Sequence, residues 1–269
     1  MSNVIVIPVY ESAISEWEEK SFEQCCKVLS KHTLCLVTYA KLDCTIYEEI
    51  ASANGVHLQR ENFDCSYFKG LQGYNKLMIS RAFYQRFARY DYMLIYQLDA
   101  FVFHDELDEW CKKGYDYIGA PWFNNYMSYE EGAELWKVGN GGFSLRKINT
   151  FLNVLSTKRP ILRYRDLYER YKNYPLKVRY WCIFKALLGW HNTIEYYAST
   201  YVDQEDLFWT HYIPSLGLNV KIPSPHQALA FSFERSPAYL YEQNNQQLPF
   251  GCHAWKKYDY DSFWCKIIK

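Results

Sequence analysis

Three carboxylates and an imidazole stand where chemistry is possible in this sequence. Asp99 follows the apolar run LIYQL in LIYQLDAFVF, Glu205 and Asp206 sit side by side in VDQEDLFW, and His253 comes late, in FGCHAW. A carboxylate at a strand end either caps the turn that follows or manages the charge of a ligand placed there. Acids at the start of a helix stabilise it by capping and through the macrodipole, and a neighbouring acid can serve as general base to a hydroxyl within reach. Asn75 and Lys76 in GYNKL open a predicted helix, and a helix start with a lysine is a ready anion site. In VGNGGFSLRK the glycines around Asn140, Gly141 and Gly142 among them, let the backbone approach a ligand and permit positive φ; a tight turn before a strand explains the same letters. Trp122 in GAPW and Trp136 in ELWKV flank this run, each able to stack on a sugar's apolar face or to pack in the core.

The elements that must position these groups alternate. VIVIPVY (4–10) is a β-branched run stopped by a proline, and EWEEKSFEQCCKVLSKH carries apolar residues at helical spacing. TLCLVTYA (33–40) reads as a second strand, LDCTIYEEIASANG as a helix ending near Gly55, and VHLQREN as a third strand. One helix is predicted from Tyr74 to Tyr90, then a strand over YMLIYQLD (92–99), apolar enough to be covered on both faces. Such alternation specifies a mostly parallel α/β sheet flanked by helices, with ligands beyond the carboxyl ends of the strands. Asp99 is at such an end. After residue 104 the regularity fades into loops, a polar stretch over 126–134, a short strand, and a helix predicted near Asp203. The chain is expected to form a single domain, with a nucleotide-binding half (1–104) and a decorated half (105–269).

Thirty basic residues balance thirty acidic ones, so the overall charge leaves no footprint for nucleic acid. The one basic patch is 159–190, with eight basic residues against two acidic; its Arg, Lys, Tyr, Trp and Leu suit contact with an anionic membrane surface or a solvated helical excursion. Nine cysteines, an odd number with no C-x-x-C pair, fit reduced thiols in a cytoplasmic protein. The opening MSNVIVIPVYES has no basic region before its apolar run and reads as a first strand, not a signal peptide. No stretch approaches the ~18 apolar residues of a membrane-spanning helix.

The order of these features resembles glycosyltransferases of the GT-A type: a β/α half, a strand ending in Leu-Asp-Ala, an aromatic loop, Gly-Gly-Phe-Ser-Leu-Arg, Glu-Asp opening a helix, and a late His. It is closest to a group acting in bacterial polysaccharide assembly. The resemblance implies a GT-A fold and transfer of a sugar from a nucleotide-diphosphate donor, a UDP-sugar, to a hydroxyl of a glycan or lipid-linked acceptor, with inversion. It implies that Pro8, Val9 and Tyr10 receive the base, that Asn75, Lys76, Gln97, Asp99, Ala100, Trp122, Asn140, Gly141 and Gly142 line the donor site, and that Asp206, with Glu205 beside it, is the base. Asp99 and His253 would hold Mn²⁺ or Mg²⁺ against the diphosphate, or Lys and Arg would replace the cation. The D-x-D motif of these enzymes is broken, because its second position is Phe101. Two rivals are a nucleotidyltransferase, for which PVYES is a poor phosphate loop, and a glycan-binding scaffold without activity. The place implied is the cytoplasm, on or near the inner face of the membrane.

Overall fold

The computed structural model describes residues 1–125, 129–130 and 132–269; residues 126–128 and 131 of the polar stretch lie outside the described residues. In chain order the elements are β1 (Asn3–Pro8), α1 (Glu16–Val28), β2 (Thr33–Tyr39), α2 (Thr45–Ala53), β3 (Gln59–Phe63), α3 (Gly70–Met78), α4 (Arg81–Arg86), β4 (Tyr92–Tyr96), β5 (Phe101–Val102), α5 (Leu107–Lys112), β6 (Tyr117–Ile118), β7 (Pro121–Phe123), β8 (Leu135–Val138), β9 (Phe143–Lys147), α6 (Ile148–Leu155), α7 (Tyr164–Tyr171), α8 (Leu176–Leu187), α9 (Ile194–Thr200) and α10 (Glu205–Leu207). Short strands β10 (Ser232–Phe233) and β11 (Gly251–Cys252) follow.

The main sheet has the order β3-β2-β1-β4-β9-β6. Strands β3, β2, β1 and β4 are parallel, and β9 runs against both its neighbours. Residues Val4 to Pro8 are buried and β-branched up to the proline, and one more bond to β2 follows it, from Val9 N to Val37 O at 2.9 Å. Alternation divides them: Ile5 and Ile7 join one apolar cluster with Phe22, Cys25 and Tyr47, while Val4 and Val6 join the other with Leu77, Phe83 and Phe151. Strand β4 is buried throughout and splits the same way, as expected for a sheet covered on both faces. Helix α1 starts at a capping box, with Ser15 and Glu18 each satisfying a backbone N–H of the other. All nine cysteines are free thiols, and Cys25, Cys26, Cys35 and Cys252 pack as small hydrophobes.

From β1 the chain winds out through β2 to β3, then returns to β4 on the other side of β1. The crevice at this reversal lies beyond the carboxyl ends of β1 and β4, where the chain continues as Val9–Tyr10 and Gln97–Asp99. The tail comes back to the same place: β11 pairs antiparallel with β5, Cys252 opposite Phe101. His253 is therefore delivered to the segment that carries Asp99.

Two expectations are corrected. The predicted helix from Tyr74 to Tyr90 is two helices, because Ser80 is extended and its hydroxyl accepts from Phe83 N at 3.2 Å, restarting the helix. The break frees the Met78 carbonyl to accept from Tyr84 Oη at 2.7 Å and from Trp209 Nε1 at 3.2 Å. The first of the two helices also begins earlier than read, at Gly70 with φ 72°, after a 3₁₀ turn over Cys65–Phe68. Asn75 and Lys76 thus lie in its second half, and the lysine is at the negative end of the dipole.

Candidate active site

Beyond β4, Gln97 N donates to Gly142 O at 2.8 Å and Ala100 N to Gln97 O at 2.9 Å. This turn swings Asp99 out of the sheet, leaving its carboxylate half exposed, with Oδ1 3.1 Å from His253 Nε2. The Gln97 Oε1 atom is 3.2 Å from the same nitrogen, and the opposite ring nitrogen, Nδ1, faces Glu234 Oε1 at 3.3 Å. Burial alone would lower the pKa of His253, but Asp99 and Glu234 outweigh it and push it up to about 10. The ring is an imidazolium between two carboxylates. Burial acts to raise the Asp99 pKa, and the charge and hydrogen bond of His253 bring it below the ordinary carboxylate value.

The glycine run supplies the opposite wall. Asn140 has φ 72°, and its Oδ1 accepts from Gly142 N at 2.9 Å, an Asx turn of the kind this residue tolerates. A Cβ on Gly142 would collide with His253 Nε2, and one on Gly141 with Glu205 Oε1. Close approach is what these two glycines are for.

Glu205 and Asp206, adjacent in sequence, have different fates. Glu205 Oε1 pairs with Arg146 Nη2 at 2.6 Å, both side chains fully or almost fully buried, and Arg146 also donates to Tyr84 Oη at 3.0 Å and Ser144 Oγ at 3.1 Å. The other Glu205 oxygen, Oε2, is buried without a hydrogen-bond partner. Asp206 is held by backbone alone, Oδ2 accepting from Asn140 N at 3.1 Å and Oδ1 from Leu207 N at 2.8 Å. Burial, and then the Glu205 charge beside it, raise its pKa from 3.8 to about 7. Neither acid caps by its side chain as the sequence suggests; Gln204 is the N-cap residue, without a side-chain bond. Past α10 the helix passes through a π-helical turn, Phe208–Tyr212, a distortion frequent at functional sites.

These groups line a cleft of about 710 Å³, whose walls include Gln97, Trp122, Asn140, Gly141, Gly142, Glu205, Asp206 and His253. A second cavity of about 400 Å³ lies at the sheet's carboxyl edge, walled by Pro8, Tyr10, Tyr67, Phe68, Leu98 and Asp99. Leu71, Tyr74 and Gln97 border both, so the two adjoin. Asn75 reaches the cleft, its Nδ2 donating to Asp203 O at 3.3 Å. Three of the expected donor-site residues do not line either cavity. Val9 is wholly buried in the core, Ala100 is wholly buried with its carbonyl accepting from the Tyr96 and Ser21 hydroxyls, and Lys76 is exposed outside both cavities. Phe101 packs against Trp255. Trp122 lies against Gly139 at the cleft wall. Sequence reasoning missed Glu234, Arg146, Tyr67, Phe68, Arg235 and Lys257; only the Arg of SLRK carried a signal, and that was a generic one.

Among the described residues no group of three or more His, Cys, Asp or Glu is arranged to hold a metal ion. The donors nearest to such an arrangement are Asp99 Oδ1, Gln97 Oε1 and His253 Nε2, with Glu234 behind the ring as a carboxylate–histidine partner. That mixed nitrogen and oxygen set, with an oriented imidazole, fits Mn²⁺ or Mg²⁺ once the Nε2 proton is released.

A family model described as "Protein of unknown function (DUF5672)" matches residues 57–253. No curated protein matches the chain in sequence. Among solved structures, mouse xyloside xylosyltransferase 1 is 10% identical over 94% of this chain and 97% of its own, with a TM-score of 0.50. The glycosyltransferase GlyE of Streptococcus pneumoniae TIGR4 is 12% identical (94% of this chain, 54% of that chain, TM-score 0.45), and the bifunctional glycosyltransferase WbbM is 13% identical (94% and 45%, TM-score 0.46). The chain spans about half the length of these last two. The mostly parallel sheet flanked by helices is the GT-A fold.

Proposed function

The chain belongs to the family described as protein of unknown function DUF5672, and we propose that it is a glycosyltransferase that moves a sugar from a nucleotide-diphosphate donor, a UDP-sugar, to a hydroxyl of a glycan or lipid-linked acceptor, with inversion at the anomeric carbon. The fold shared with a sugar transferase supports the architecture; the residues of the cleft support the chemistry.

The smaller cavity takes the nucleoside. Tyr10, Tyr67 and Phe68 offer aromatic faces to a base. The diphosphate then lies at the junction of the two cavities, beside the His253 imidazolium, with Lys257 and Arg235 further along the cleft wall. Were a divalent cation bound instead, Asp99, Gln97 and a His253 ring that had given up its Nε2 proton would hold it, and it would supply the charge neutralisation that the imidazolium otherwise gives. The donor sugar lies along Asn140, Gly141 and Gly142 in the cleft, beside the His253 and Glu205 side chains that the two glycines let in. Asp206 takes the proton of the acceptor hydroxyl as that oxygen attacks the anomeric carbon. The bond from this carbon to the diphosphate oxygen breaks, and its electron pair leaves with the diphosphate.

The observation that carries this reading is the contrast between the two adjacent acids. Glu205 is tied to Arg146, whereas Asp206 faces the cleft with its pKa raised to about 7, close to the value that serves a general base best. The test is UDP release from a panel of UDP-sugars with Mn²⁺, with the product anomer assigned by NMR. Inversion, and loss of turnover in Asp206→Asn with donor binding retained, is the expected result. A product that keeps the donor's configuration would overturn the base assignment; glycan binding with no turnover of any nucleotide sugar would favour the scaffold.

A further inference from the structure

Helix α8 carries apolar residues on both of its faces. Ile183 and Ala186 point inward and pack with Leu167 of α7. On the opposite side Lys177, Trp181, Phe184 and Leu188 follow one another at intervals of four, three and four residues, one continuous row at the helical period. Trp181 is 56% exposed, Phe184 54% and Leu188 72%, with Leu176, Tyr180 and Trp190 exposed beside them. Apolar residues on both faces are expected of a helix buried all round; here the outer face is open. The hairpin presenting it is fixed. Asn192, wholly buried, accepts from Leu162 N at 2.8 Å and donates to the carbonyls of Leu162 at 3.0 Å and Ala186 at 3.1 Å, and Arg179 donates to Tyr168 Oη of α7 at 3.2 Å.

Charge selects the occupant. Residues 176–190 hold Lys177, Arg179 and Lys185 and no acidic residue, so two copies of this face would bring like charges together. The arrangement of cations and rings is that of an interface between water and lipid: Trp181 and Phe184 stack at 6.0 Å, and the Lys185 ammonium lies over Trp181 at 4.9 Å and Trp190 at 4.6 Å. Such side chains rest their apolar bodies in the acyl boundary while the ammonium stays among the headgroups. Among the described residues no helix is long and apolar enough to cross a membrane, so α8 would lie in the surface.

We propose that the outer face of α8, led by Trp181, Phe184 and Leu188 and flanked by Lys177 and Lys185, docks on an anionic lipid bilayer. Docking stands apart from the sugar-transfer reading. That the acceptor is itself lipid-linked rests on that reading: α9 runs from this hairpin to Val202 and Asp203 at the rim of the cleft.

Flotation of the full chain with phosphatidylcholine vesicles, with and without phosphatidylglycerol, tests this. Binding is expected only with the anionic lipid. Lys177→Gln with Lys185→Gln should weaken it about fivefold for each lysine, and Trp181→Ser with Phe184→Ser on the order of a hundredfold or more. These side chains are exposed, so the variants should keep the wild-type melting temperature and the wild-type release of UDP from a soluble donor. Absence of binding to anionic vesicles, equal binding to neutral ones, or wild-type binding by the Trp181/Phe184 variant would overturn the proposal. So would a dimer in sedimentation that the same variant dissolves, since the face would then serve a second copy. Vesicle binding without turnover would leave docking standing and refute the sugar-transfer reading instead.

Discussion

Replacing Asp206 by Asn tests the site through two quantities that change in opposite directions. The folded protein holds this carboxyl at about 7 instead of 3.8, which is about 4 kcal/mol of lost stability once it is ionised. The sign follows from the direction of the shift: a carboxyl whose folded pKa is raised favours the folded state below 3.8, and that advantage falls away as the pH climbs to about 7 and then stays constant. Asn carries no charge, so the variant lacks this loss. It does leave one of the two backbone donors, Asn140 N or Leu207 N, facing an amide NH₂, at a cost of about 1–3 kcal/mol. Urea unfolding should therefore find Asp206→Asn less stable than wild type at pH 4 and more stable, by about 1–3 kcal/mol, at pH 8. Turnover moves the other way. Wild-type kcat/KM should rise about tenfold per pH unit below pH 7 and level off above it, while the variant loses roughly 10²–10⁴ in kcat with a flat profile. A stability difference that does not depend on pH would refute the perturbed carboxyl. Turnover within tenfold of wild type would refute its role as base.

The other predictions concern what surrounds it. Arg146→Met leaves Glu205 buried without its partner and should cost about 3–5 kcal/mol in urea unfolding; the double change Arg146→Met with Glu205→Leu should recover most of that, and a double variant as unstable as the single one would show that the pair is not the reason. Gly142→Ala puts a methyl against His253 Nε2, so the ring must turn away from Asp99 and Glu234; isothermal titration should find UDP binding weakened about 10–100-fold, and the melting temperature should fall as the imidazolium loses its carboxylates. UDP with Mn²⁺ at a hundred times its Kd should add about 2.7 kcal/mol, or about 5–10 °C in thermal shift for a chain of this size. Asp99→Asn should remove most of that rise, and an undiminished rise would place the diphosphate elsewhere.

The centre of the sheet was legible because β1 is a buried β-branched run, with Val4 and Val6 facing one way and Ile5 and Ile7 the other, and β4 is apolar throughout. The helix after β3 was legible in kind but not in extent. Apolar period passes unbroken through Ser80, whose hydroxyl ends one helix and starts the next, and the true start at Gly70 depends on a left-handed glycine that period does not register. Lys76 was misplaced for that reason alone. Val9 and Ala100 show a second limit: standing next to Tyr10 and Asp99 in the chain says which strand end a residue occupies, but not whether its side chain turns to the ligand or to the core.

What the sequence could not show at all is how one buried cation assigns roles to two adjacent acids. In VDQEDLFW the resemblance singles out Asp206 without giving a physical reason, and Arg146 of GFSLRK is 59 positions before Glu205. Antiparallel pairing of β9 with β4 places Arg146 opposite Met93, inside the molecule, where a guanidinium must find a carboxylate. Gly141 lets Glu205 come in close enough to be that carboxylate. Glu205 so placed sits beside Asp206, and burial, then the Glu205 charge, lift the Asp206 carboxyl to about 7. Arg146 fixes Glu205 in place, while its own charge acts to lower the Asp206 pKa, so the rise to about 7 comes from burial and Glu205 against it. Gly141 and Arg146, which the sequence offers only as parts of one Gly-Gly-Phe-Ser-Leu-Arg run, are in the fold what holds Glu205 beside Asp206.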